Sequence, residues 1–216
     1  MVPLTPDPAL PTLLDYGFDG HASLDAIIGA SAYRTLAQVV ASLTLFSHPD
    51  TVRQTGCRPV IRVIRNAARR GDIIELDGRR VGLDDNKAPT DVFLWCNAMK
   101  RRPRDVQFNH VYLNSQDPEI YTSLANLCVT PSFLAKLTDT NPEIRDLLRY
   151  RVWKLYGWRP AGLEAPAEPD GYASHGRRTS SAYASRGGAL DAIRLRKGIP
   201  APTRAILTCP NARPSR

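Results

Sequence analysis

The run Gln107-Phe108-Asn109-His110-Val111, with Leu124-Ala125-Asn126-Leu127 shortly beyond it, restricts the possible folds of this chain more than any other stretch. It reads as one strand, then a second strand, then a helix that has to cover them. His110 stands at the end of the first strand, and Asn126 follows 126 − 110 = 16 positions later. Between them Asn114-Ser115-Gln116-Asp117-Pro118 is a polar, turn-forming loop. After Asn126 the spacing predicts a short strand over Leu127-Cys128-Val129, then a helix opened by Thr130-Pro131 with Phe133, Leu134 and Leu137 on its apolar face. An imidazole and a carboxamide brought together in this way suit chemistry at a metal-bound phosphate.

Residues 105–140, about a sixth of the chain, resemble the His-Asn-His endonuclease family. The resemblance implies a ββα-metal fold with His110 as general base, Asn126 as its support or as a metal ligand, and a divalent ion, magnesium by preference, at the departing 3′ oxygen. The chain departs from the family pattern at two places. Asn109 stands where an acidic ligand is usual and Ala135 where a His or Asn is usual, and neutral carboxamides bind a hard cation less strongly than carboxylates do. Asn109 and Asp139 are therefore second-rank ligands, with Lys136 an alternative to Asp139 in the helical role. The cysteine pairs that hold a structural zinc in many members are absent.

Charge points to a polyanionic partner. The formal net charge of +8 divides into −4 over residues 1–50, +7 over 51–104, −1 over 105–158 and +6 over 159–216, so two basic blocks flank the motif. Within the first block Pro59 suits a first helical position, and Arg58, Arg62, Arg65 and Arg69 recur at helical spacing. Gly71 ends this helix, and Ile73–Leu76 then pairs with Arg79–Leu83 across the turn dipeptide Asp77-Gly78. Helix and hairpin together resemble the recognition helix and wing of a winged helix-turn-helix domain, with Arg79 and Arg80 at the wing tip. Lys100, Arg101, Arg102 and Arg104 form a further basic cluster immediately before the motif strand.

The remaining signals are structural. Residues 22–46 predict one helix or two, with Ser23 as N-cap, and Asp91–Trp95 a buried element. Asn141-Pro142 opens a helix in which Ile144, Leu147, Leu148, Val152, Leu155 and Tyr156 recur at three and four. Cys57, Cys96, Cys128 and Cys209 form no CxxC pair and read as reduced thiols of a cytoplasmic protein. Asp7 and the surrounding prolines argue against a signal peptide, and Arg34 and Gln38 interrupt the longest apolar stretch, against a membrane span. Beyond Trp158 the Pro, Gly, Ala, Ser and Arg content predicts a mobile tail, including a non-catalytic His175 and a short helix near 189–197.

These signals predict an α+β fold, mainly helical, with a winged-helix-like basic element and a ββα-metal-like motif. The expected organisation is a helical segment over 1–50, a basic DNA-binding element over 51–104, the motif and its bracing helix over 105–158, and a basic tail over 159–216. The expected activity is metal-dependent cleavage of double-stranded DNA, of the restriction or mobile-element kind, with a second copy of the chain a candidate partner. A non-catalytic sequence-specific DNA-binding regulator and an RNA-binding protein are the alternatives. GxSxG, P-loop, HExxH and GxGxxG motifs are absent, which leaves little support for other hydrolase chemistry.

Overall fold

The structure is a computed structural model that describes residues 14–134 and 136–172. Ala135, the prolines before residue 14, His175 and the expected helix near 189–197 lie outside the described residues. The 22–46 region forms two helices, α1 (Gly20–Gly29) and α2 (Leu36–Leu43). Asp19, not Ser23, caps α1: its backbone is extended and its carboxylate accepts from the Ala22 N–H at 2.9 Å. Ser23 lies inside the first turn and donates its hydroxyl to the Asp19 carbonyl. The chain then leaves the helix for a two-residue strand, β1 (Leu45–Phe46), and α3 (Pro49–Gln54) follows with Pro49 in its first turn.

No helix spans residues 58–69. Arg58 belongs to no helix or strand, Pro59 forms an isolated bridge to Ser123, and Val63–Arg65 is a strand, β2, parallel to β4 (Arg79–Asp84). The apolar positions Val60, Ile61, Val63 and Ile64 are all β-branched, so their stiff side chains favour the pleated alternative once β4 supplies a ladder. The hairpin forms as expected: β3 (Ile73–Leu76) pairs antiparallel with β4 in the register Leu76↔Arg79, and Asp77 and Gly78 take φ of 50° and 68°. The wing-like hairpin is thus present without the helix that would read DNA beside it. Asp91–Trp95 belongs to α4 (Lys87–Cys96), whose first turn is capped by the Asp84 carboxylate accepting from the Ala88 N–H.

A second sheet has the order β1-β6-β5, with β5 spanning Val106–His110 and β6 Leu127–Pro131. Its register runs from Val106↔Pro131 to His110↔Leu127. The expected helix at Thr130-Pro131 is displaced, because both residues finish β6: Thr130 pairs with Gln107, and its hydroxyl accepts from the Asn109 carboxamide at 2.7 Å. A 3₁₀ turn (Ser132–Leu134) and the four-residue α5 (Leu137–Thr140) follow. The long α6 (Pro142–Tyr156) begins where expected, with the Asn141 side chain accepting from the Ile144 N–H and Pro142 in the first turn; Gly157, at φ 62°, supplies the left-handed residue that stops it.

One buried cluster joins Ile28, Val63, Phe93, Leu127 and Leu148, so the segments on either side of residues 50 and 104 share a core. The same cluster reaches Tyr172, whose ring meets Tyr150 edge to face at 4.7 Å and whose hydroxyl accepts from Arg151. Residues 159–172 therefore coat α6, although the composition predicts a mobile tail from 159. Cys96 and Cys128 are free buried thiols, but Cys57 is disulfide-bonded, which corrects the expectation of four reduced thiols. Among the described residues no helix is long and apolar enough to cross a membrane.

Candidate functional site around His110

His110 is the last residue of β5, half-buried, and the sixteen residues 111–126 lead from it back to β6. Its Nε2 lies 3.0 Å from the Tyr121 carbonyl, and its ring stacks on the Tyr121 ring with centroids 5.0 Å apart and planes at 15°. A carbonyl only accepts, so Nε2 carries the proton and Nδ1 carries the lone pair of the neutral ring. Tyr121 is itself fixed, since its hydroxyl donates to the Asn86 carboxamide and accepts from the Asn86 N–H, both at 2.9 Å. Burial lowers the His110 pKa below its usual value; the Tyr121 carbonyl and Asp139 oppose this, and Arg65 adds to it. The imidazole is therefore neutral at neutral pH, with a carboxylate and a guanidinium within electrostatic reach.

Asn126 has no exposed surface and uses its carboxamide on backbone. Nδ2 donates to the carbonyls of Tyr112 at 3.1 Å and Ile120 at 3.3 Å, and Oδ1 accepts from the Tyr112 N–H at 2.7 Å. The Ile120 carbonyl precedes the Tyr121 peptide that holds His110, so Asn126 braces the imidazole at one remove. The register pairs His110 with Leu127, one step from Asn126. Asn126 and His110 thus meet through the loop and not side chain to side chain.

The remaining expected ligands do not assemble a cage. Asn109 is buried and donates to the Thr130 hydroxyl. Asp139, on α5, is partly exposed, accepts from the Thr138 hydroxyl and lies 4.0 Å from Lys136 Nζ. Among the described residues no group of three His, Cys, Asp or Glu side chains is close enough to hold a metal ion. One carboxylate with a lysine beside it and one committed carboxamide do not fit a divalent cation that prefers several oxygen ligands.

Four of the ten residues of the expected basic array are held in internal ion pairs. Arg62 and Arg79 both reach Glu119, at 3.0 and 3.2 Å; Arg65 pairs with Asp85 at 3.1 Å and Arg69 with Asp72 at 3.0 Å. Arg62, Arg65 and Arg69 share no helix face, because there is no helix. Arg102 lies over the Phe108 ring, its carbon 5.1 Å from the centroid. Arg58, Arg80, Lys100, Arg101 and Arg104 are exposed and make no ion pair among the described residues.

Sequence reasoning missed Tyr121, whose main contribution is a backbone carbonyl that no side-chain pattern reveals. It also passed over Arg145 and Arg149, four apart on α6, although that spacing alone puts them on one helix face. No family profile, curated protein or solved structure matches the chain.

Proposed function

We propose that the chain is a nucleic-acid phosphodiesterase, an endonuclease acting on DNA, in which His110 is the general base. The observation that carries this reading is the Nε2 contact with the Tyr121 carbonyl, which leaves the Nδ1 lone pair of a neutral, half-buried imidazole available to a water molecule. Nδ1 takes the proton as water oxygen attacks phosphorus, and the bond from phosphorus to the 3′ oxygen breaks, the 3′ oxygen taking its proton from a solvent water and Nδ1 returning its proton to solvent. Asp139 favours the imidazolium that forms, and the exposed cations left unpaired among the described residues attract the polyanion. Because the donor set does not suit a divalent ion, no step is assigned to one.

The test is cleavage of supercoiled plasmid by the full chain, with magnesium, with manganese and with chelator. His110→Ala should abolish nicking while leaving retention of DNA nearly unchanged, because the base acts on the transition state more than on the ground state. Absence of cleavage by the unsubstituted chain in every arm, or cleavage by His110→Ala at the parental rate, removes the proposal. A non-catalytic DNA-binding regulator is the second reading, favoured by the poor donor set around His110. It calls for a discrete footprint on selected DNA without strand scission.

A further inference from the structure

A separate cleft of about 940 Å³, which His110 does not line, opens between the 111–126 loop, the 56–59 segment, α6 and the residues following it. Four guanidinium groups line it, Arg58, Arg145, Arg149 and Arg159, against the carboxylates of Asp117 and Glu119. Glu119 is already shared by Arg62 and Arg79, so the lining has an excess of positive charge. Arg145 and Arg149 stand one turn apart on α6, and the Nε–H of each is buried without an acceptor among the described residues, while Arg149 Nη1 also faces the exposed Asp146 carboxylate at 3.5 Å. Half-exposed guanidinium groups with part of their donor set unmatched are ones an incoming anion can engage through their outer N–H groups. Arg149 also lies over the Tyr112 ring, 5.3 Å from its centroid, and Tyr112 meets Trp158 edge to face at 5.7 Å. The cleft thus combines arginine forks with a half-exposed indole.

We infer that this cleft binds a phosphate-bearing nucleotide unit, with Arg145 and Arg149 on the phosphate and Trp158 offering its ring to the base. A lone inorganic anion would use the arginines and leave the aromatic wall unexplained; a base attached to the phosphate uses both. The unit has two sources, a free nucleotide or the unpaired strand of a nucleic acid. The inference does not require His110 to act as a base, since His110 does not line this cleft.

The test is equilibrium binding of a fluorescently labelled oligothymidylate to the full chain over a salt series, with ATP and inorganic phosphate as competitors. Arg145→Gln and Arg149→Gln should each weaken binding about 5- to 10-fold, and each should flatten the slope of log affinity against log salt by about 0.7. Trp158→Leu should weaken binding about 5- to 100-fold and leave the salt slope unchanged, because stacking releases no counterions. Strong competition by ATP identifies the free nucleotide as the source, and oligonucleotide binding that ATP does not displace identifies the strand. Competition by inorganic phosphate as effective as that by ATP contradicts a role for the base. Should the α6 variants fail to fold, Arg58→Gln, on an exposed residue, carries the salt-slope test. Unchanged affinity and slope in the folded arginine variants overturn the inference.

Discussion

Asn126→Ala is the most informative substitution because the structure gives this side chain a role that a metal ligand could not share. Its three hydrogen bonds all end on main chain, at Tyr112 N, Tyr112 O and Ile120 O, and it has no exposed surface. At about 1 kcal/mol net for each bond, and more where a buried group is left without a partner, the loss comes to about 3–5 kcal/mol. That is a large part of a domain stability of about 5–15 kcal/mol. Urea denaturation followed by fluorescence should show the midpoint falling, and at roughly 2–4 °C per kcal/mol the thermal midpoint should fall with it. Asn126→Asp keeps the shape but replaces two donated hydrogens with a buried charge. Burial raises the pKa of the introduced carboxyl in the folded state above its unfolded value of about 3.9. The folded state then holds the proton more tightly, and stability falls as pH rises from about 4 toward the folded pKa. A loss below about 0.5 kcal/mol for Asn126→Ala, accompanied by loss of cleavage, would refute this reasoning and return the residue to the role of ligand.

Three further outcomes follow. If His110 is the base, the rate should rise with pH along an acid limb centred below 6.5 and be flat by neutrality, because burial depresses the pKa and the deprotonated ring is the active form; an acid limb centred above 6.5 contradicts the assignment. Replacing Arg62, Arg65 and Arg69 together with Gln should flatten the salt slope of DNA binding by much less than three phosphate equivalents, since each already faces a carboxylate, and a change near three would show that the pairs open on binding. Tyr172→Ala should cost about 2–4 kcal/mol in urea denaturation through its buried ring and the Arg151 contact, whereas an effect within about 0.5 kcal/mol would mean that residues 159–172 do not stay on α6.

The elements legible in the sequence are those decided by a few neighbouring residues. Asp77-Gly78 defines the β3–β4 turn by its own φ preferences, and Asn141-Pro142 with the three-and-four spacing after it defines α6. The segment 58–65 misled because Val60, Ile61, Val63 and Ile64 satisfy one helix face and also a strand pressed between neighbours. The choice came from β4, whose pairing partner Gly82 lies nineteen positions beyond Val63 and leaves no local trace. Proline in the first helical turn holds at Pro49 and Pro142, whereas Pro59 sits in an isolated bridge and Pro131 ends β6. At the site, His110 and Asn126 were identifiable as chemistry-bearing residues, but what they do depends on the carbonyls of Tyr121, Ile120 and Tyr112.

The 111–126 loop explains how the sequence features and the site belong together. A connection this long between paired strands is uncommon unless it is disordered or functional. Here it is tied along its length by groups from the other sheet and its flanks. Arg65 N–H donates to the Ser115 carbonyl at 2.8 Å, and Gln116 Nε2 returns a bond to the Arg65 carbonyl. The Tyr121 hydroxyl holds Asn86, the Thr122 hydroxyl donates to the Ile61 carbonyl, and the Ser123 hydroxyl to the Cys57 carbonyl at 2.9 Å. Segments 57–65 and 84–86, which look from sequence like a separate DNA-reading element, therefore act as the scaffold for this loop. Fixing so many backbone groups costs conformational entropy, and the hydrogen bonds and burial of Tyr121 and Leu124 offset it. The consequence is a loop held along its length, with His110 at one end and residues within 112–120 lining the arginine-bearing cleft, so that both groups are positioned by the same set of backbone bonds.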